Sequence, residues 1–142
     1  MKTFSAKSYN LKKKWFLLDA KGQTLGRLST KIVSYISGKY KPEYTSNINT
    51  GDYVIVINAK KVIVTGKKFD NKIYHHHTGY IGGLKKILFK DLLSKCPEKI
   101  IEKSIKGMLP KSSLGRRMYE NLKVYAESSH PHQAQKPENL EI

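Results

Sequence analysis

The sequence has one cysteine, Cys96, among 142 residues. A lone thiol excludes an internal disulfide framework and any zinc site that needs two thiolates, and it is compatible with a reducing compartment. Cys96 sits beside Pro97 with no placed histidine partner, so it reads as a small helix-flanking residue and not as a nucleophile. Long apolar runs are missing too. Nothing approaches the roughly 18–20 residues of a membrane span, and Met1 to Lys14 lacks the apolar core of a secretory signal. The expected location is the cytosol, with no membrane partner. Acids are scarce: 11 Asp plus Glu face 27 Lys plus Arg, a formal net charge of +16 with neutral histidines. Arginine is scarce as well, limited to Arg27, Arg116 and Arg117. Bidentate reading of base edges is therefore a minor resource, and phosphate contact is the main one.

Motifs that carry chemistry are absent in the same way. The chain has no G-x-S-x-G, no H-E-x-x-H, no paired carboxylates and neither glycine fingerprint of nucleotide cofactors. No catalytic residue, cofactor or small-molecule substrate is expected. The triple histidine His75-His76-His77 is a poor metal site: only His75 and His77 share a face of an extended chain, and Asp70 is the one weak third ligand.

What is present is a foldable and very basic chain. The runs Val54-Ile55-Val56-Ile57 and Val62-Ile63-Val64 belong in a packed interior. The length suits one compact domain over 1–142, with a basic N-terminal segment at 1–14 and an extended arm at 127–142. So much positive charge on so small a body implies a polyanionic partner, with nucleic acid foremost. The charge is uneven. Residues 1–14 hold five lysines and no acid, and residues 60–90 hold eight lysines against Asp70 alone. Aromatic residues interleave with these runs at Tyr9, Trp15, Phe69, Tyr74 and Tyr80, as on an RNA surface. Tyr74, Tyr80 and the histidines between them are candidates to stack on bases or bond to sugar and phosphate, and His130-Pro131-His132 reads the same way.

Hydrophobic spacing predicts a strand at Trp15 to Ala20, then a helix through Leu25, Leu28, Ile32 and Ile36, capped by Thr24 and ended by Gly38. An unbroken apolar strand, covered on both faces, is expected at Tyr53 to Asn58, and another strand at Lys61 to Thr65. Lys67 to Gly83 reads as a long functional loop. A helix through Leu84, Ile87, Leu88 and Leu92 follows, with Gly79, Gly82 and Gly83 as a weak anion cradle ahead of it. Further helices run through Ile100, Ile101, Ile105 and Met108 and, capped by Ser112 or Ser113, through Leu114, Met118 and Leu122. Lys123 to Ala126 would return as the last strand. Arg116 and Arg117 are placed near that last helix's start, where phosphate would gain from dipole and guanidinium together. The order suggests an α/β layered domain with a mainly parallel sheet.

Gly26-Arg27-Leu28, Asn58-Ala59-Lys60, His76-His77-Thr78-Gly79-Tyr80, Gly82-Gly83-Leu84-Lys85, Gly107-Met108-Leu109-Pro110, Leu114-Gly115-Arg116, Leu122-Lys123-Val124-Tyr125 and His130-Pro131-His132 occur in that order. In these blocks, which span nearly the whole chain, the sequence resembles the L13 family of large-subunit ribosomal proteins, bacterial type. The resemblance implies a three-layer α/β/α fold around a four-stranded, mainly parallel sheet, and a non-catalytic constituent of the large ribosomal subunit that joins assembly early. Its partners would be large-subunit rRNA and neighbouring ribosomal proteins. The rRNA contacts it implies are Lys12, Lys13, Lys14, Arg27, Lys39, Lys41, Tyr74, His76, His77, Thr78, Tyr80, Gly82, Gly83, Lys85, Lys86, Arg116 and Arg117, and the basic runs themselves add Lys60, Lys67, Lys68 and Lys111 as candidates. The alternative is an RNA chaperone acting off the ribosome, which would share the charge.

Overall fold

The structure, a computed structural model, describes residues 4–140. Lys2 lies outside the described residues. After a single 3-10 turn at Ser8–Asn10 the chain forms β1 (Trp15–Asp19), α1 (Leu25–Ser37), β2 (Tyr53–Ile57), α2 (Lys68–Asn71), β3 (Ile73–His77), β4 (Leu84–Leu88), α3 (Phe89–Lys95), α4 (Glu98–Met108), α5 (Ser113–Tyr119), β5 (Leu122–Val124) and β6 (Glu138–Leu140). The fold is mixed α/β, with a four-stranded sheet in the order β5-β2-β1-β6, flanked by helices, and every pairing in it is parallel.

The apolar spacing explains the core. Leu25, Leu28, Ile32 and Ile36 form one buried stripe of α1, and Ile100, Ile101 and Ile105 form another on α4. Both stripes join a cluster with Leu18 of β1, Val54 and Val56 of β2, Phe89 and Leu122. Ile55 points to the opposite face of β2 and is also fully buried, so β2 is covered on both sides, as its unbroken run requires. Gly38 ends α1 in the left-handed region at φ 75°, and the N–H groups of Gly38 and Lys39 return to the carbonyls of Tyr35 and Ser34. Thr24 precedes the helix, but its hydroxyl makes no capping bond.

Four expectations are corrected. Lys61 to Thr65 is not a strand: the 3-10 turn Ala59–Lys61 opens it, and Ile63 makes one isolated parallel bridge to Thr24. Its N–H and carbonyl groups are satisfied by Gln23 and Leu25 at 2.9 Å, outside the sheet. Lys67 to Gly83 is ordered, as α2 and β3. Leu84 to Leu88 is strand, and helix begins only at Phe89, so Gly79, Gly82 and Gly83 build a hairpin turn and not a cradle at a helix start. Helix α5 ends at Tyr119, which places Arg116 and Arg117 in its last turn, where the dipole no longer favours an anion, and Leu122 begins β5.

The expected last strand is followed by another. β5 and β6 occupy opposite edges of the sheet, so residues 125–137 must cross it. They act as a strap. The His132 ring stacks on Trp15 at 5.2 Å, Trp15 stacks on Tyr53 at 4.3 Å, and the Tyr125 hydroxyl lies 2.7 Å from His132 Nε2. His132 therefore works inside the protein and is not a free stacking group. Partial burial, then the nearby His130 and Lys123, hold its pKa below the ordinary imidazole value. The unfolded chain thus binds this proton more readily than the folded one, and stability contributed by neutral His132 is lost as pH falls through the ordinary imidazole range. Thermal melts should show a lower Tm in mildly acidic buffer than at neutral pH, and His132→Gln should lose part of that sensitivity.

Candidate nucleic-acid interface

β3 and β4 form a separate two-stranded antiparallel ribbon, with His75 opposite Lys86, His76 opposite Lys85 and His77 opposite Leu84. Side chains alternate across a strand, so Lys85 with His76 and Lys86 with His75 present cation and imidazole on opposite faces. The turn is held by Thr78 N–H to the Gly83 carbonyl at 3.0 Å and by Gly83 N–H to the Tyr80 carbonyl at 2.9 Å. Gly79 and Gly82 take φ 92° and φ 72°, the left-handed region that favours glycine. His77 Nδ1 accepts from Gly79 N–H at 2.9 Å, so one side of that ring belongs to the turn. At the tip Tyr80 is 80% exposed and Ile81 wholly so, and Ile73, Leu84 and Ile87 are exposed along the strands. A two-stranded ribbon that hides so little apolar surface is marginal alone in water.

The two tyrosines of this region part company. Tyr74 is half-buried against the core, its ring stacked on Phe89 at 6.5 Å, with the Lys72 and Lys103 ammoniums 5.4 and 5.1 Å from its centroid. Burial raises its hydroxyl pKa. Tyr74 anchors the ribbon, and Tyr80 is the one free to stack.

The other cations are scattered over several elements. Lys12 and Lys14 are exposed ahead of β1, Arg27 is exposed on α1, and Lys39 follows its cap. Lys67 and Lys68 open α2, and Lys111 lies exposed before α5. Lys60 pairs with Glu127 at 3.1 Å and Lys14 with Glu138 at 3.4 Å, both in solvent, where such pairs hold little. The ribbon lysines and the α1 and α5 arginines thus stand on separate elements.

Lys13 and Lys41 answer to an acid that is not among the candidate site residues, Asp52. Asp52 is fully buried; it accepts from the Lys41 ammonium at 2.6 Å, from the Lys14 backbone N–H at 2.8 Å and from the Tyr40 hydroxyl. Lys41 also donates to the Thr50 carbonyl at 3.2 Å. The Tyr40 pKa is strongly raised, first by burial and then by the Asp52 carboxylate. Lys13 is lowered by burial, partly offset by attraction to Asp52, and its ammonium sits 5.3 Å from the Tyr53 ring. In the sequence Asp52 stands as an acid between Gly51 and an apolar run, at the end of the block 47–52 that also resembles the family. Lys41 thus has internal partners, unlike the exposed lysines of the ribbon.

The family model for ribosomal protein L13 matches residues 13–131. The chain belongs to the ribosomal protein L13 family. It is 59% identical to the large ribosomal subunit protein uL13 of Vesicomyosocius okutanii over the whole of both chains, and 57% identical to that of Teredinibacter turnerae, again over both in full. The uL13 protein of Legionella pneumophila strain Corby is 59% identical over 100% of this chain and 99% of its own. L13 membership makes this a structural ribosomal protein and not an enzyme. Among the described residues no group of three His, Cys, Asp or Glu could hold a metal ion, and no helix is long and apolar enough to cross a membrane. The three histidines of the L13 ribbon alternate between faces and find no third ligand there.

Proposed function

We propose that this chain is a constituent of the large ribosomal subunit that contacts its rRNA mainly through phosphates and joins early in assembly. The observation that carries this reading is the β3–β4 ribbon: it projects lysines, histidines and an exposed tyrosine with no acid on either strand, and the curated relatives are named large-subunit proteins. Lysines there neutralise phosphates where RNA segments would otherwise repel, while the body of the fold holds those segments in register. Lys12, Lys14, Arg27, Lys39, Lys67, Lys68, Lys111, Arg116 and Arg117 extend the contact, and the exposed apolar residues of the ribbon suit a neighbouring ribosomal protein.

Sedimentation of lysate at moderate and then high salt tests this. Co-migration with the large subunit that resists salt supports the reading; a chain left at the top of the gradient would favour an RNA chaperone acting off the ribosome. Lys85→Ala and Lys86→Ala, both exposed, are expected to leave Tm unchanged and to release the chain from the subunit at lower salt. Each lysine–phosphate pair removed should reduce the slope of log K against log salt by about 1. Arg116→Ala is expected to act in the same direction, and unchanged occupancy would remove these residues from the interface.

A further inference from the structure

Helix α5 carries its adjacent arginines into two different clefts. Arg117 lines a broad depression with Lys13 and Asn49, and Arg116 lines a narrower one, of about 440 Å³, between α4 and α5. The narrower cleft is lined by the apolar and aromatic residues Leu109, Pro110 and Tyr119, with Glu102 beside the Tyr119 hydroxyl, and by the exposed cations Lys106, Lys111 and Arg116. The Lys106 ammonium lies 5.9 Å from the Tyr119 ring centroid. The walls are fixed by close backbone approach: a Cβ on Gly115 would fall 1.8 Å from the Pro110 carbonyl oxygen, and the Ser112 hydroxyl accepts from Gly115 N–H at 3.3 Å.

Such a cleft has the volume of a small-ligand site, but its chemistry is not that of a bare anion. An aromatic lining with exposed cations suits a planar base whose phosphate reaches those cations, the way single-stranded RNA is held by an aromatic face and a positive groove. Glu120, also lining the cleft, repels a second phosphate and offers an acceptor for a base amino group. We propose that the α4–α5 cleft takes one unstacked nucleotide of RNA, with its base against Tyr119 and its one phosphate between Lys106, Lys111 and Arg116. The proposal rests on the rRNA reading above and sharpens it from phosphate contact along a surface to one nucleotide held in one place.

The test is ultraviolet crosslinking of purified large subunits, followed by nuclease and trypsin digestion and mass spectrometry. Trypsin releases Tyr119 in the peptide Met118–Lys123 and the ribbon in Ile73–Lys85, so the two contacts are read separately. The expected result is a single-nucleotide adduct on Tyr119. Its yield should fall in subunits carrying Lys111→Ala, while the adduct on the ribbon peptide is unchanged, and Tyr119→Phe should keep it. If Met118–Lys123 returns unmodified from particles whose ribbon peptide carries a nucleotide, the cleft proposal falls and the rRNA reading stands. If neither peptide carries one, or the chain does not sediment with the subunit, both fall.

Discussion

Gly51→Ala is expected to unfold the protein or to lower its stability by ~3 kcal/mol or more, at the top of the range for forced overpacking. The chain enters β2 directly beneath the last turn of α1, and Asp52 N–H donates to the Tyr35 carbonyl at 3.1 Å. A Cβ on Gly51 would lie 1.6 Å from the Ile36 carbonyl oxygen and 2.4 Å from its carbon. Both are backbone atoms of a buried helical turn, with no flexible side chain to swing away. The φ of Gly51 is not positive, so the cost is contact and not conformational strain. Gly107→Ala is the matched control: it lies within α4, a Cβ there meets nothing within 4 Å, and loss of unfolded-state freedom with better helix propensity should stabilise by about 0.5–1 kcal/mol. Urea denaturation of the two variants should move Cm in opposite directions with m unchanged. Equal shifts would mean that the α1–β2 approach is looser than described.

Asp52→Ala is expected to cost about 3–5 kcal/mol, the usual consequence of removing one partner of a buried ion pair. The Lys41 side chain is only 16% exposed and its ammonium bonds the carboxylate at 2.6 Å. Without Asp52 it keeps the Thr50 carbonyl and the Tyr40 ring face, 5.8 Å from the ammonium, while the Lys14 N–H and the Tyr40 hydroxyl lose their acceptor. Asp52→Asn retains one acceptor oxygen and should cost markedly less. Equilibrium urea unfolding gives both values, and a double-mutant cycle with Lys41→Met isolates the pair. Because Asp52 holds the residue just before Trp15, the same substitution should loosen Lys12 to Lys14, which amide exchange across that segment would report as faster opening.

Elements with a clear period are legible in the sequence. The helices α1 and α4 each bury a stripe at 3.6-residue spacing, and β2 is an unbroken β-branched run because both of its faces are covered. The ribbon is not legible, because neither of its faces is buried along its length. Without a core side there is no alternation to see, and Leu84, Ile87, Leu88 and Leu92 happen to match a helical spacing. β6 is illegible for a related reason: Glu138, Asn139 and Leu140 join an edge through backbone bonds, which impose little on side-chain type. In the candidate interface the lysine runs are visible, but which of them have internal partners is not. Lys41 and Tyr74 look like their neighbours in sequence and differ only because Asp52 and Phe89 lie beside them in space.

The strap joins β6 to β1, a pairing of Phe16 with Glu138 from opposite ends of the described chain. Closing a loop of nearly the full length carries a larger entropic cost than any other pairing in the sheet, although that cost grows only slowly with length. Long-separation contacts also form slowly. The order of events follows: the β3–β4 ribbon, whose partners are a turn apart, can pair early, while the outer edge of β1 stays open until the strap arrives. During that interval β1 presents unpaired N–H and carbonyl groups that another chain could add to. Refolding at rising protein concentration should lose yield through this edge, and a chain shortened before Glu138 should lose more.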